Sequence, residues 1–147
     1  MIFVLYVLII IRLIVFKYPY SELREIADAW QKNVILEGLD TANFTPFKTI
    51  KMYIRYYARL NSFENLFGNI LIFIPFGYLL PSVFRRYRNL FFFFANTFLF
   101  VLGIEVFQLF SAFGAFDVDD LILNCFGGLI GYAAFLMTDR KYHKKNE

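Results

Sequence analysis

The residues of this sequence able to do chemistry are few, and they sit where a polar group is costly. Glu105 and Gln108 lie in the last turns of an otherwise apolar run, Asp117, Asp119, Asp120 and Asn124 open the next one, and Asn65 and Asn69 open an earlier one. A charged side chain inside a membrane span costs about 2.5–3.5 kcal/mol or more unless it is paired or wetted, so such a residue is by default a candidate for function. Clustered carboxylates and amides could form a polar ligand pocket, act as general acid and base, or offer the oxygen ligands that Mg²⁺ takes. In the last case Glu105, Asp117 and Asp120 would be the ligands, but the reading expects no metal and no cofactor. One Cys, Cys125, and one His, His143, are too few for a Cys/His zinc site or an intramolecular disulfide. No Ser, His or Cys nucleophile accompanies the carboxylates, because Cys125 is one position off the stripe of Asn124.

A second group is basic. Lys48, Lys51, Arg55 and Arg59 recur at i, i+3, i+7 and i+11, with Phe47, Ile50, Ile54 and Tyr57 on the other side. Thr45 is read as the N-cap of this helix and Pro46 as its first residue. An amphipathic helix of this kind lies in a membrane interface, where its stripe can hold phosphate head groups. Long side chains that only snorkel to water would produce the same pattern.

The elements that must position these residues follow from composition. Of 147 residues, 59% are hydrophobic and 18% charged, with 21 Phe and 10 Tyr, against about 45–50% apolar and 25% charged in ordinary globular chains. A soluble core of this size could not hide that much apolar surface. The chain is therefore read as an all-α membrane protein, a single domain over 1–147. The length excludes a large transporter with paired halves, a multidomain enzyme and a receptor with a folded ectodomain. The net charge of +3 is too small to suggest a nucleic-acid partner.

Charged residues mark out about four transmembrane helices, near 1–16, 65–84, 89–110 and 119–138, each measured against the ~20 residues that cross a bilayer. The loop 17–64 between the first two is extracytoplasmic in this reading and carries amphipathic interfacial helices: one from Ser21, with Gly38 as its C-cap, and the basic one. Short connections predict that the last three spans are antiparallel neighbours. Arg85, Arg86 and Arg88, with Arg140, Lys141, Lys144 and Lys145 of the tail, place both termini in the cytoplasm and the acidic 111–120 turn outside. Alternation then brings the polar ends of three spans to the same side, a conclusion that needs only the helix count.

Angular position refines this. At 100° per residue, Asp117, Asp120, Asn124, Gly128 and Gly131 share a stripe if the helix already starts at Asp117, while Asp119 points roughly opposite. Asp119 is accordingly expected to matter less than Asp120, and to serve with Asp117 in helix capping. Gly127 and Gly131 form G-x-x-x-G, which lets another helix approach closely.

Two stretches resemble the signatures of VanZ-like membrane proteins. Asn65–Pro81 reads NLFGNILIFIPFGYLLP, and Ile104–Gly128 reads IEVFQLFSAFGAFDVDDLILNCFGG, with E-x-x-Q closing one span and D-V-D-D-x-x-x-N opening the next. NFTPFKTI, from Asn43 to Ile50, is similar to the family's N-x-x-P-F element. The resemblance implies a small multi-pass protein of the bacterial cytoplasmic membrane, in a family named for a member that lowers susceptibility to the glycopeptide teicoplanin. It implies no catalytic mechanism. One departure is Gly114, where the family commonly places an Arg three residues before the first Asp; Arg55 and Arg59 are the cations available in its stead.

The leading expectation is a non-catalytic, envelope-altering binder that engages membrane lipids, a lipid-tailed glycopeptide or a lipid-linked cell-wall precursor. Its polar pocket would comprise Glu105, Gln108, Asp117, Asp120, Asn124, Asn65 and Asn69, and its head-group site Lys48, Lys51, Arg55 and Arg59. The alternatives are an intramembrane enzyme acting on a lipid-linked phosphate-bearing substrate through the carboxylates, and a structural partner of a larger complex.

Overall fold

The computed structural model describes residues 2–14, 24, 34–56, 62–111 and 114–145. Within them run six α-helices: α1 Ile2–Ile14, α2 Val34–Thr41, α3 Lys48–Arg55, α4 Ser62–Val83, α5 Leu90–Ser111 and α6 Val118–Lys145. A 3-10 turn, Arg85–Arg88, joins α4 to α5. Three segments are long and apolar enough to cross a membrane: Asn65–Val83, Leu90–Ser111 and Val118–Asp139. The 13 residues of α1 extend about 20 Å at 1.5 Å per residue, short of a ~30 Å hydrocarbon core. The first expected span ends at 16, outside the described residues, as does most of the helix expected from Ser21.

The centre of the molecule is α6. Half of its spanning window is buried, against 28% for each of α4 and α5. Its closest partner is α4, and the reason is glycine. A Cβ added at Gly131 would lie 1.9 Å from the Ile74 carbonyl oxygen, one at Gly127 2.1 Å from that of Ile70, and one at Gly77 1.9 Å from that of Gly128. Backbone touches backbone there, so the G-x-x-x-G reading holds. Positions rise together along both helices, so α4 and α6 run parallel. The tightest packing is not between consecutive spans: α4 meets α6 backbone to backbone through glycine, whereas α4 and α5 meet through their side chains, as in the rings of Phe73 and Phe76 against Phe100, because the Phe-rich surface of α5 keeps the two backbones apart.

Phe73, Phe93 and Val101 are fully buried around this centre, and Phe76 stacks on Phe100 with centroids 5.2 Å apart. Phe93 stacks on Tyr132 at 4.5 Å. The α1 helix lies against α4, where Phe3 meets Phe76 and Phe84 and the Tyr6 hydroxyl donates to the Ile72 carbonyl.

The shorter helices correct two sequence expectations. Gly38 does not end a helix; it sits inside α2, where a Cβ would lie 2.5 Å from the Leu109 carbonyl oxygen of α5. Its smallness serves a close crossing and not a cap. Thr45 does not cap α3 either. The helix starts two residues after Pro46, behind Phe47, which is left-handed at φ 65° and makes no side-chain cap. Likewise α6 starts at Val118 rather than Asp117, whose carboxylate accepts from the Asp119 N–H at 2.8 Å as an N-cap does.

Candidate functional site

The polar residues meet at the start of α6. Asn43, in the link between α2 and α3, pairs with this segment as one rung of a parallel ladder: its N–H donates to the Phe116 carbonyl at 2.8 Å, and the Val118 N–H donates to its carbonyl at 3.0 Å. The Asn43 side chain closes the same contact, donating to Asp117 Oδ1 at 2.8 Å and to Thr49 Oγ1 at 3.1 Å. Thr49 in turn donates to Asp117 Oδ2 at 2.6 Å. Through these bonds a loop about 70 residues upstream is fixed to the mouth of the bundle.

Asp119 makes the tightest link. It is wholly buried, and its carboxylate accepts the backbone N–H groups of Phe47, Thr49 at 2.7 Å and Ile50 at 3.1 Å. These are donors that the first turn of a helix leaves without intrahelical partners, so Asp119 caps α3 from another helix, with its charge at the positive end of the α3 dipole. This answers why α3 starts without a local cap. Asp120, by contrast, accepts from Asn69 Nδ2 at 2.6 Å and is only partly buried.

Glu105 is 1% exposed, and its Oε2 accepts the Asp117 N–H at 3.0 Å, so the α5 carboxylate holds the turn into α6. Gln108 is 4% exposed, and its side-chain amide lies against Gly114: a Cβ there would come within 2.9 Å of Gln108 Cδ and Nε2. At Gly114 the chain therefore packs the Gln108 amide on a bare backbone. Asn124 lies one turn into the bundle from Asp120, 1% exposed, and neither its Nδ2 nor its Oδ1 has a hydrogen-bond partner among the described residues. A buried amide in that condition costs about 1–3 kcal/mol.

The α3 helix presents two faces. Thr49 and Tyr53, one turn apart, look into the cluster. The Tyr53 hydroxyl is hydrogen-bonded to Asn65; burial, then the negative charge of Asp120, and more weakly that of Asp117, hold this phenol above its usual pKa of 10.0 against the effect of that bond. Lys48, Lys51 and Arg55 are exposed on the other face, where with Met52, Ile54 and Tyr56 they line an open groove of about 630 Å³. Arg59 of the predicted stripe lies outside the described residues.

The structure thus brings Glu105, Asp117, Asp120, Asn65 and Asn69 to one end, with Gln108 beside them and Asn124 beneath. It adds Asn43, Thr49 and Tyr53, which sequence reasoning missed as site residues, and Asp119, expected there only to cap a helix. Asn43 and Thr49 lie in the NFTPFKT segment, but only the fold says what they face. The carboxylates are engaged by the chain's own N–H, O–H and amide donors, and among the described residues no group of three His, Cys, Asp or Glu side chains is placed to hold a metal ion.

Comparison with known proteins agrees with the motifs. The sequence pattern of the family described as VanZ/LLP1 matches residues 3–139. Protein VanZ of Enterococcus faecium is 29% identical over 145 residues, covering 96% of this chain and 75% of the relative. No solved structure matches the chain.

Proposed function

The chain belongs to the VanZ/LLP1 family, and on that premise we propose that it is a multi-pass protein of the bacterial cytoplasmic membrane that contributes to resistance against teicoplanin-type glycopeptides. In this reading it binds a phosphate-bearing or otherwise anionic, lipid-tailed molecule at the outer face, with both termini in the cytoplasm. The observation that carries the reading is the groove along α3, where Lys48, Lys51 and Arg55 stand beside Met52, Ile54 and Tyr56. Cations next to apolar side chains suit the junction between a charged head and the first carbons of a tail.

The polar cluster behind α3 has a positioning part in this function. Asp119 and Asp117 fix the helix by its first turn, which fixes where the three cations point. Glu105 fixes the turn that carries the two aspartates. The enzyme alternative has less support, because the carboxylates it would use are occupied in holding chain segments together.

Binding of teicoplanin, and separately of a long-chain alkyl phosphate, to the protein in nanodiscs of zwitterionic lipid tests the proposal. With about 1 kcal/mol per cation near the surface, Lys48→Gln with Lys51→Gln should weaken binding of the engaged probe about 30-fold and flatten its salt dependence. Affinity unchanged for both probes would reject the head-group site.

A further inference from the structure

Behind the polar end the three long helices meet in layers. Each brings residues four apart to the junction: Asn69, Phe73 and Gly77 on α4, Asp120, Asn124 and Gly128 on α6, and Glu105, Val101 and Thr97 on α5, which runs the other way. Contacts fix the outer and inner layers. In the outer one, Asn69 Nδ2 donates to Asp120 Oδ1 at 2.6 Å, and the Glu105 carboxylate accepts from the turn into α6. In the inner one, a Cβ on Gly77 would lie 1.9 Å from the Gly128 carbonyl oxygen, and one on Gly128 would lie 3.1 Å from the Thr97 methyl. Asn124 therefore falls in the middle layer, with Phe73 and Val101, both fully buried hydrocarbon.

The Asn124 amide is 1% exposed, and neither of its polar atoms has a hydrogen-bond partner among the described residues. Phe73 and Val101 can supply none. A helical side chain leans toward the N-terminus of its own helix, so this amide is inclined toward Asp120 and the outer layer, away from Gly128. Buried amides are ordinarily satisfied, and the polar atoms able to share a guest with Asn124 lie in that one direction.

The sign of the guest follows from the charges above it. Asp117 and Asp119 are bonded by backbone N–H, hydroxyl and amide donors, all neutral, and a neutral donor leaves a carboxylate its charge. Glu105 and Asp120 add to the same negative end, which repels an anion and attracts a cation. The valence follows from the ligands. One carboxylate, Asp120, and two amide oxygens, Asn124 Oδ1 and Asn69 Oδ1, balance a single positive charge; among the described residues no group of three acidic, His or Cys side chains is placed for a more highly charged ion.

We infer that Asn124, Asp120 and Asn69 form a binding site for a monovalent alkali cation, entered from the polar end past the exposed Asn65, with Asn124 Oδ1 as its innermost ligand. The inference is independent of the head-group groove on α3. An ion held there ties α4 to α6 beside the turn from which Asp119 holds α3.

The test equilibrates full-length protein, in nanodiscs of zwitterionic lipid, with radioactive Na⁺ at fixed ionic strength, N-methylglucamine replacing Na⁺. Binding is expected to saturate and to be displaced by unlabelled Na⁺, and the thermal unfolding midpoint should rise over the same concentration range. Asn124→Leu, which exchanges the amide for hydrocarbon of similar size, should abolish both effects, yet in N-methylglucamine it should unfold no earlier than the wild type, because no unsatisfied amide remains. Asp120→Asn removes the charge while keeping an acceptor for Asn69, so it should weaken Na⁺ binding about tenfold or more, and it serves as the deciding variant if Asn124→Leu does not fold. Ser82→Ala, exposed near the other end of α4, should change neither readout. A wild type that shows no saturable Na⁺ binding, with Asn124→Leu more stable, would overturn the site and assign the amide to a buried water. Binding undiminished in both Asn124→Leu and Asp120→Asn would place the ion elsewhere and overturn it as well.

Discussion

The two ends of the helix bundle hold their charges in opposite ways. At the start of α6, Asp119 and Glu105 are buried; Asp119 accepts backbone N–H groups from a segment about 70 residues earlier, and Glu105 accepts that of Asp117 in the turn between α5 and α6. At the other end Arg85, Arg86 and Arg88 are exposed, Arg88 stands 3.7 Å from Asp139 with both side chains partly solvated, and Arg86 and Arg88 lie over the rings of Phe92 and Phe135. The first end uses charge to fix geometry, since a buried carboxylate tolerates few arrangements of its donors. The second uses charge at a boundary, where side chains share their interactions with water and the surroundings. Fixed geometry suits a recognition site, which is why the function proposed above is placed at the α6 start.

The contrast can be sharpened first by an all-or-none measurement. Under the proposed orientation, Ala115→Cys, at an exposed position of the acidic turn, should be labelled by an impermeant thiol reagent on intact cells. Labelling only after lysis would invert the molecule and move the polar end to the cytoplasm. Next in size is Asp119→Ala. Three backbone donors lose a charged acceptor, so stability should fall by about 3 kcal/mol or more, and proteolysis around α3 should rise. Asp120→Asn, which weakens one bond to Asn69, should cost about 1 kcal/mol. A larger loss for Asp120→Asn than for Asp119→Ala, read by thermal unfolding in detergent, would break the argument that the cap of α3 organises this end. The smallest effect belongs to the opposite end. Asp139→Asn removes a partly solvated ion pair and should shift stability by about 0–1 kcal/mol; a loss comparable to that of Asp119→Ala would erase the distinction between the two ends.

What the sequence disclosed and what it withheld divide along the same physical line. Apolar run lengths place Asn65–Val83, Leu90–Ser111 and Val118–Asp139, because a bilayer sets span length locally. The meeting of Glu105, Asp117 and Asn69 follows from counting helices. Gly127 and Gly131 announce a close contact by spacing alone, although not that the partner would be α4. Asp119 was misjudged for a different reason: a helical wheel measures direction about one axis, and the partner of Asp119 is the backbone of a helix about 70 residues earlier, which no wheel contains. Thr45 and Pro46 carry a credible local start signal, yet α3 begins behind Phe47 in a left-handed turn. Three donors captured by Asp119 outweigh the roughly 1–2 kcal/mol that such a backbone costs. Gly38 followed the same course, a local cap signal overridden by the need to cross α5 closely.

The parallel packing of α4 on α6 has a consequence for how the protein comes into being. Translation delivers α4, then α5, and only then the helix against which α4 packs most tightly. Each span can enter the bilayer as it emerges, since insertion needs only its own apolar length. Until α6 arrives, however, α4 has no surface matched to Gly77 and to the carbonyls of Ile70 and Ile74, and α3 has no Asp119 to hold its first turn. Insertion and assembly are therefore separate events in the life of this chain. The final helix completes both the core and the polar end at once, so a ribosome that stops before residue 118 leaves a protein that is in the membrane but not yet folded.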